Sequence, residues 1–185
     1  MGSNGLETAL ECVERGWSVV PGALWIDDTY VDPVTNADSE ALALSSPVLA
    51  TLDPEEVRRL WPVLEEGVTR STLAVLGTLM TAIVVEPERA RLVIEFEAFR
   101  SAPTPVVMLP IPMFGVMIES AVFVVSSSGG LDEKLVFPAD GLLPLPPAVV
   151  EGYETRWLVS PVECDGLMSG PELARLLALE TSNRR

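Results

Sequence analysis

The sequence predicts an α+β fold in which helices pack on a mixed or antiparallel sheet. Three observations lead there. Four segments space their apolar residues as one helical face, several short apolar runs lie between turn residues, and 48% of the 185 residues are hydrophobic. A chain of this length can bury one well-formed core, so residues 1–185 are read as a single domain.

Taken in order, Leu6 to Arg15 carries Leu6, Ala9, Leu10 and Val13 on one face, with Ser3 or Asn4 to cap its start and Gly16 to close its end. Trp17-Ser18-Val19-Val20-Pro21 reads as a short strand. Gly22 to Ser46 is turn-rich and acidic (Asp27, Asp28, Asp32, Asp38) and reads as a long loop with little regular structure. Asp53-Pro54-Glu55-Glu56 is a helix start, with Asp at the cap and Pro in the first turn. That helix presents Val57, Leu60, Trp61 and Leu64 and ends near Gly67. Thr72 to Val85, almost wholly apolar around Gly77, predicts two strands in a hairpin or one bulged strand.

Pro87 opens a helix over Glu88 to Arg100, with Ala90, Val93, Ile94 and Ala98 inward. The sheet continues through Val106–Leu109, Gly115–Ile118 and Ala121–Val125, with Glu119-Ser120 as the turn between the last two. Ser126 to Gly130 is a further turn. Leu135–Phe137 and Arg156–Val159 are short strands, and Leu142–Pro147 is a proline-rich connector between them. The last helix spans 171–180 and carries a stripe of Leu173, Leu176 and Leu177.

Composition removes most routes to catalysis. The chain has no histidine, one lysine (Lys134) and two cysteines, Cys12 and Cys164. No Ser-His-Asp or Cys-His arrangement can form within it, nor a histidine-ligated or four-thiolate zinc site. Lys134 lies in Asp132-Glu133-Lys134-Leu135, so no phosphate loop ends in Gly-Lys-Ser/Thr. With 27 acidic against 12 basic residues, a net of −15, direct DNA or RNA binding is disfavoured by repulsion from phosphates. The arginines are scattered, and the acidity reads first as a solubilising shell. The most apolar stretch, Val106 to Val125, contains Pro110, Pro112 and Glu119, so it reads as buried strands and not as a membrane span. The opening residues lack a basic region followed by an apolar run, and two separated cysteines suit a reducing compartment; both point to the cytoplasm.

What chemistry remains is carboxylate chemistry. Glu86 and Glu88 flank Pro87 at the end of an apolar strand, where two carboxylates can coordinate Mg²⁺ or Mn²⁺. The same pair is explained as acids at a helix N-terminus, complementing its dipole. Neither is assigned a catalytic role, and no cofactor is expected outside the metal reading. Glu119 is a lone acid in an apolar run, read as a turn residue. Asp27, Asp28 and Asp32 do not match a calcium loop and read as solvated. Met108, Met113, Phe114 and Met117 suit sheet packing or an adaptable binding surface. Leu143-Pro144-Leu145-Pro146-Pro147 has the look of a polyproline ligand, but reads first as a connector.

The order of several pieces resembles the primase–polymerase domain of the archaeo-eukaryotic primase superfamily, in its "bifunctional DNA primase/polymerase, N-terminal" form common in actinobacteria and their mobile elements. The pieces are Ala9-Leu10 through Arg15-Gly16-Trp17 and Val20-Pro21, then Ala50-Thr51 and Asp53-Pro54 through Val57 to Trp61-Pro62. Next come Val84-Val85-Glu86-Pro87-Glu88, and last Leu143–Pro147 followed by Tyr153 and Arg156-Trp157-Leu158. Together they span Leu6 to Pro161. The resemblance implies an Asp-x-Asp pair with a third acid on two metal ions, and a Ser-x-His strand on nucleotide phosphates. Glu86 and Glu88 stand in place of that pair. The Ser-x-His strand would fall within Phe114 to Val125, which has no histidine, lysine or arginine, and the third acid near Asp132, Glu133 or Asp140. The resemblance therefore implies a non-catalytic, replication-associated relative that acts through a protein partner or as a homo-oligomer. A metal-dependent nucleotidyltransferase using Glu86 and Glu88, and an acidic DNA mimic, are the two rivals.

Overall fold

The computed structural model describes residues 4–77, 79–113, 116–127 and 141–183. In chain order the elements are α1 (Gly5–Glu14), β1 (Val19–Gly22), β2 (Leu24–Ile26), β3 (Thr29–Asp32), β4 (Ala37–Ser39), α2 (Pro54–Leu60), β5 (Ser71–Val75) and β6 (Met80–Val85). They continue with α3 (Pro87–Glu95), α4 (Glu97–Ser101), β7 (Val106–Met113), β8 (Val116–Ser126), β9 (Leu142–Leu145), β10 (Val149–Val150), β11 (Tyr153–Glu154), β12 (Arg156–Val159) and α5 (Gly170–Asn183). The fold is α+β, as the sequence predicts. Among the described residues no helix is long and apolar enough to cross a membrane. The chain divides into two compact units, residues 1–75 with 140–156, and residues 76–139 with 157–185.

In the first unit, β1, β5 and β9 form an antiparallel sheet with β5 in the centre. α1 begins with a capping box: Asn4 Oδ1 accepts from the Glu7 N–H at 2.9 Å, and Glu7 Oε2 accepts from the Asn4 N–H at 3.1 Å. Its buried face is Gly5, Thr8, Ala9, Cys12 and Val13, one step round from the Leu6-Ala9-Leu10-Val13 face of the sequence reading. Small residues face inward because the helix lies close to the chain beneath it. A Cβ on Gly5 would fall 1.8 Å from the Arg70 carbonyl oxygen. Thr72 Oγ1 donates to the Gly5 carbonyl at 2.6 Å, and Thr8 Oγ1 to that of Pro146 at 2.8 Å. α2 starts as expected, Asp53 Oδ1 accepting from the Glu55 N–H at 2.9 Å. Trp61, fully buried at its end, donates through Nε1 to the Ser71 carbonyl at 3.0 Å.

The Gly22–Ser46 segment is not an irregular loop. β2, β3 and β4 form an antiparallel meander within it. Asp27 and Asp28 are its first turn, both with positive φ (48° and 63°), as a two-residue hairpin turn requires. Short polar side chains tolerate that backbone region, and Asn36 (φ 54°) serves likewise in the second turn. Acids that read as solvated loop residues are thus turn formers. Asp32 is not solvated either. It is 8% exposed and takes a bidentate pair from Arg70, Nε to Oδ1 at 2.8 Å and Nη2 to Oδ2 at 2.7 Å. Arg70 Nη1 also donates to the Leu60 carbonyl at 2.8 Å, so one guanidinium joins β3, the end of α2 and the start of β5.

Residues 72–85 form two strands but no hairpin: β5 pairs with β1 and β9, and β6 with β8. Leu142–Leu145 is likewise no connector. It is the edge strand β9, where Pro144, opposite Leu73, needs no outward N–H partner.

The second unit holds a four-stranded sheet in the order β12-β7-β8-β6. Glu119 and Ser120 do not turn the chain. They lie inside the single strand β8, opposite Pro110 and Leu109 of β7. Pro110 and Pro112, two residues apart in β7, place their missing N–H groups on the same side of the strand. Ala121 to Val125 are all fully buried, which explains why this run carries no polar alternation. The expected 88–100 helix is broken at Phe96, whose extended backbone (φ −64°, ψ 136°) separates α3 from α4. The break sends Phe99 into the core, its ring edge-on to Phe123 with centroids 6.0 Å apart. Leu173, Leu176 and Leu177 of α5 join the same core. Arg89 of α3 ties α5 with Nε to Glu180 Oε2 at 3.0 Å and Nη2 to the Leu177 carbonyl at 2.8 Å. Leu135–Phe137 and the Gly130 end of the 126–130 turn lie outside the described residues.

The Arg70 hydrogen bonds hold the Asp32 carboxyl below the usual carboxylate range, despite partial burial. A depressed folded pKa means the contribution is fully present above about pH 4 and is lost as pH falls through the folded value. Arg70→Ala is expected to lower stability by about 2–4 kcal/mol at pH 7. The difference from wild type should shrink in urea melts below about pH 4; a difference that stays constant with pH would contradict the assignment.

Candidate functional site

The sequence-derived acids do not converge. Glu86 is exposed at the N-cap of α3, without a side-chain cap bond, and Glu88 is exposed in the first turn, pairing with Arg91 at 3.1 Å. Among the described residues no three His, Cys, Asp or Glu side chains group as metal ligands. Asp132, Glu133 and Asp140, the third-acid candidates, lie outside the described residues, as does Phe114. Glu119 is exposed on β8, Met117 half-buried, and Met108 packed in the core. Both cysteines are buried as free thiols, and burial raises the Cys12 pKa.

What the fold does bring together is a set of acids and two aromatic rings on the β2–β4 meander. Trp25 and Tyr30 are cross-strand partners, so their side chains share a face. Their rings meet edge to face with centroids 4.7 Å apart. The β10–β11 turn braces them, since Tyr30 Oη accepts from the Glu151 N–H at 3.0 Å. That turn puts Glu151 (φ 48°) and Gly152 (φ 85°) in the left-handed region, and a Cβ on Gly152 would come within 3.4 Å of Trp25 Nε1. Burial raises the Tyr30 phenol pKa above its ordinary value, so the ring stays neutral and the oxygen keeps its proton.

Around the rings lies an open hollow of about 800 Å³, edged by Asp28, Asp38, Glu40 and Glu151 together with Thr29 and Ser39. None of the residues lining it is basic. The acids also follow the larger charge division. The unit of residues 1–75 and 140–156 carries 16 acidic against 5 basic residues, a net of −11; the other carries 11 against 7, a net of −4. An even solubilising shell would not divide in this way. Carboxylates beside half-buried aromatic rings attract guanidinium or ammonium groups, by direct pairing and by the ring quadrupole.

Of this set, Asp28 and Asp38 were visible in the sequence as acids, while Trp25, Tyr30, Glu40 and Glu151 were not singled out. The signal for the rings was present: Leu24-Trp25-Ile26 and Thr29-Tyr30-Val31 mirror one another across Asp27-Asp28. Glu151, 121 residues from Tyr30, had no such signal.

Tyr30→Phe removes the acceptor for the Glu151 N–H and is expected to cost about 1 kcal/mol in urea unfolding. Trp25 emission should change in the same variant; unchanged stability and emission would show that the brace does not hold in solution.

Comparison with protein-family models, with characterised proteins and with solved structures finds no match to this chain.

Proposed function

We propose that this protein is non-catalytic and works by protein–protein contact, docking a partner with a basic surface on the Trp25–Tyr30 hollow. The observation that carries the reading is a shallow, open surface of two aromatic rings and four carboxylates without a lining cation. Its chemistry suits arginine and lysine side chains, and its charge would steer a basic partner towards it. The lineage in this proposal is the primase–polymerase resemblance, with the catalytic apparatus lost. In support, the stretch of β8 where that family would grip a triphosphate is packed with the apolar side chains Ala121 to Val125. Glu86 and Glu88 lie at the N-terminus of α3, where their charge complements the helix dipole, and Glu88 pairs with Arg91, which favours a structural role over metal binding.

A DNA mimic is the more specific second reading, favoured by the concentration of net charge in one unit. It differs only in the partner, which would then be a protein with a DNA-binding groove.

Titration with an arginine-rich peptide tests the docking surface, with Trp25→Phe as the control for the fluorescence. Trp25 emission is expected to shift saturably, with affinity falling as salt rises. The triple variant Asp38→Asn, Glu40→Gln, Glu151→Gln should weaken binding by about tenfold or more. No saturable change, or binding indifferent to those substitutions, overturns the surface. Primer extension with Mn²⁺ and nucleotides tests the rest: none is expected, and synthesis abolished by Glu86→Gln would establish an enzyme.

A further inference from the structure

The second unit contains a different concavity, independent of the surface just proposed. Between α4 and α5 lies a hollow of about 380 Å³, large enough for a small ligand. It exists because the residues facing it from one side are small. Ala98 and Ala102, on and just after α4, leave space that Leu176 and Leu179 of α5 wall with apolar surface. At Gly166 an added Cβ would meet nothing within 4 Å.

Three charged side chains line this hollow, and only one of them, Glu172, is hydrogen-bonded within the protein. Glu172 caps its own helix, its Oε2 accepting from the Ser169 N–H at 3.0 Å and from the Ser169 hydroxyl at 2.6 Å. These bonds, with a smaller contribution from the nearby Arg175 guanidinium, hold its carboxyl below the usual range. Arg175 and Asp165 also line the hollow, and among the described residues neither side chain has a hydrogen bond or ion pair. A guanidinium and a carboxylate with donors and acceptors unspent, beside an apolar wall, are complementary to a zwitterion with an apolar body. A purely anionic ligand would leave Asp165 opposing it, and a purely cationic one would be opposed by Arg175.

We propose that this hollow binds a free apolar amino acid or dipeptide. Its carboxylate sits on the Arg175 guanidinium, its ammonium on Asp165, and its side chains against Ala98, Ala102, Leu176 and Leu179. Arginine suits the carboxylate because its planar donors can bind both oxygens at once.

Calorimetric titration with leucyl-leucine tests the assignment, alongside its N-acetyl and C-terminal amide derivatives, each lacking one charge. The dipeptide is expected to bind saturably, and each blocked derivative about tenfold more weakly. Arg175→Glu should weaken the dipeptide by at least as much as the amide does, and Asp165→Asn should match the effect of acetylation. Gly166→Trp fills the hollow from a position with ordinary backbone geometry and should abolish binding without moving the thermal midpoint. Should that variant fail to fold, Arg175→Glu, on the exposed face of α5, decides the matter. Absence of saturable binding up to about 10 mM overturns the proposal. So does equal affinity for the blocked derivatives, or affinity unchanged in Arg175→Glu. Because the arginine-rich peptide is directed at the other unit, failure of one proposal leaves the other standing.

Discussion

One guanidinium organises the unit that carries the acidic hollow. Arg70 stands immediately before the central strand β5 and spends three donors at once, two on Asp32 at the end of β3 and one on the last carbonyl of α2. A planar fork can do this where a lysine ammonium could not, since its donors are already aimed before the contacts form. Asp32 accepts in addition from the Val34 N–H and the Thr35 hydroxyl, so the carboxylate is fully used as the meander turns. The meander itself is too short and too polar to stand alone. Its position is set by this pair and by the small apolar cluster of Val20, Leu42, Leu73 and Leu142, against which Tyr30 packs.

Charge and apolar surface are handled differently in the two units. The second unit builds its core from one sheet face and three helices, with Phe99 and Phe123 at the centre and the Arg89–Glu180 pair joining α3 to α5. Its net charge is small. The first unit concentrates acids, and concentrated like charge lowers stability through repulsion while attracting counter-charged partners. A surface that bears this cost beside two ordered aromatic rings is suited to recognition.

Much of the local structure was legible in the residues. Asn4, one of the two caps offered by the sequence, and Asp53, ahead of Pro54, both cap helices, and the Leu173–Leu177 stripe is buried. Where the reading failed, each failure has a physical cause. Asp27-Asp28 reads as solvated loop because acids mark loops on average, whereas short polar residues also permit the left-handed backbone of a tight hairpin. Glu119-Ser120 suggested a turn because polarity usually interrupts a strand at its end, yet β8 runs on with Glu119 at an exposed position. The Glu88–Arg100 stretch predicts one continuous helix because its apolar residues keep helical spacing and no Gly or Pro interrupts it. Burying Phe99 beside Phe123 is what stops it at Phe96.

The division between the two levels follows from range. Caps, turn residues, helical faces, the sign of the charge and the exclusion of histidine chemistry are set by residues within a few positions of one another, or by composition, and sequence alone carries them. Strand partners, the Asp32–Arg70 pair across 38 residues and the Tyr30–Glu151 contact across 121 were decided by folding. No local preference encodes which distant strand will lie alongside. That choice is made by the burial of whole faces and by the requirement that every buried donor and acceptor find a partner.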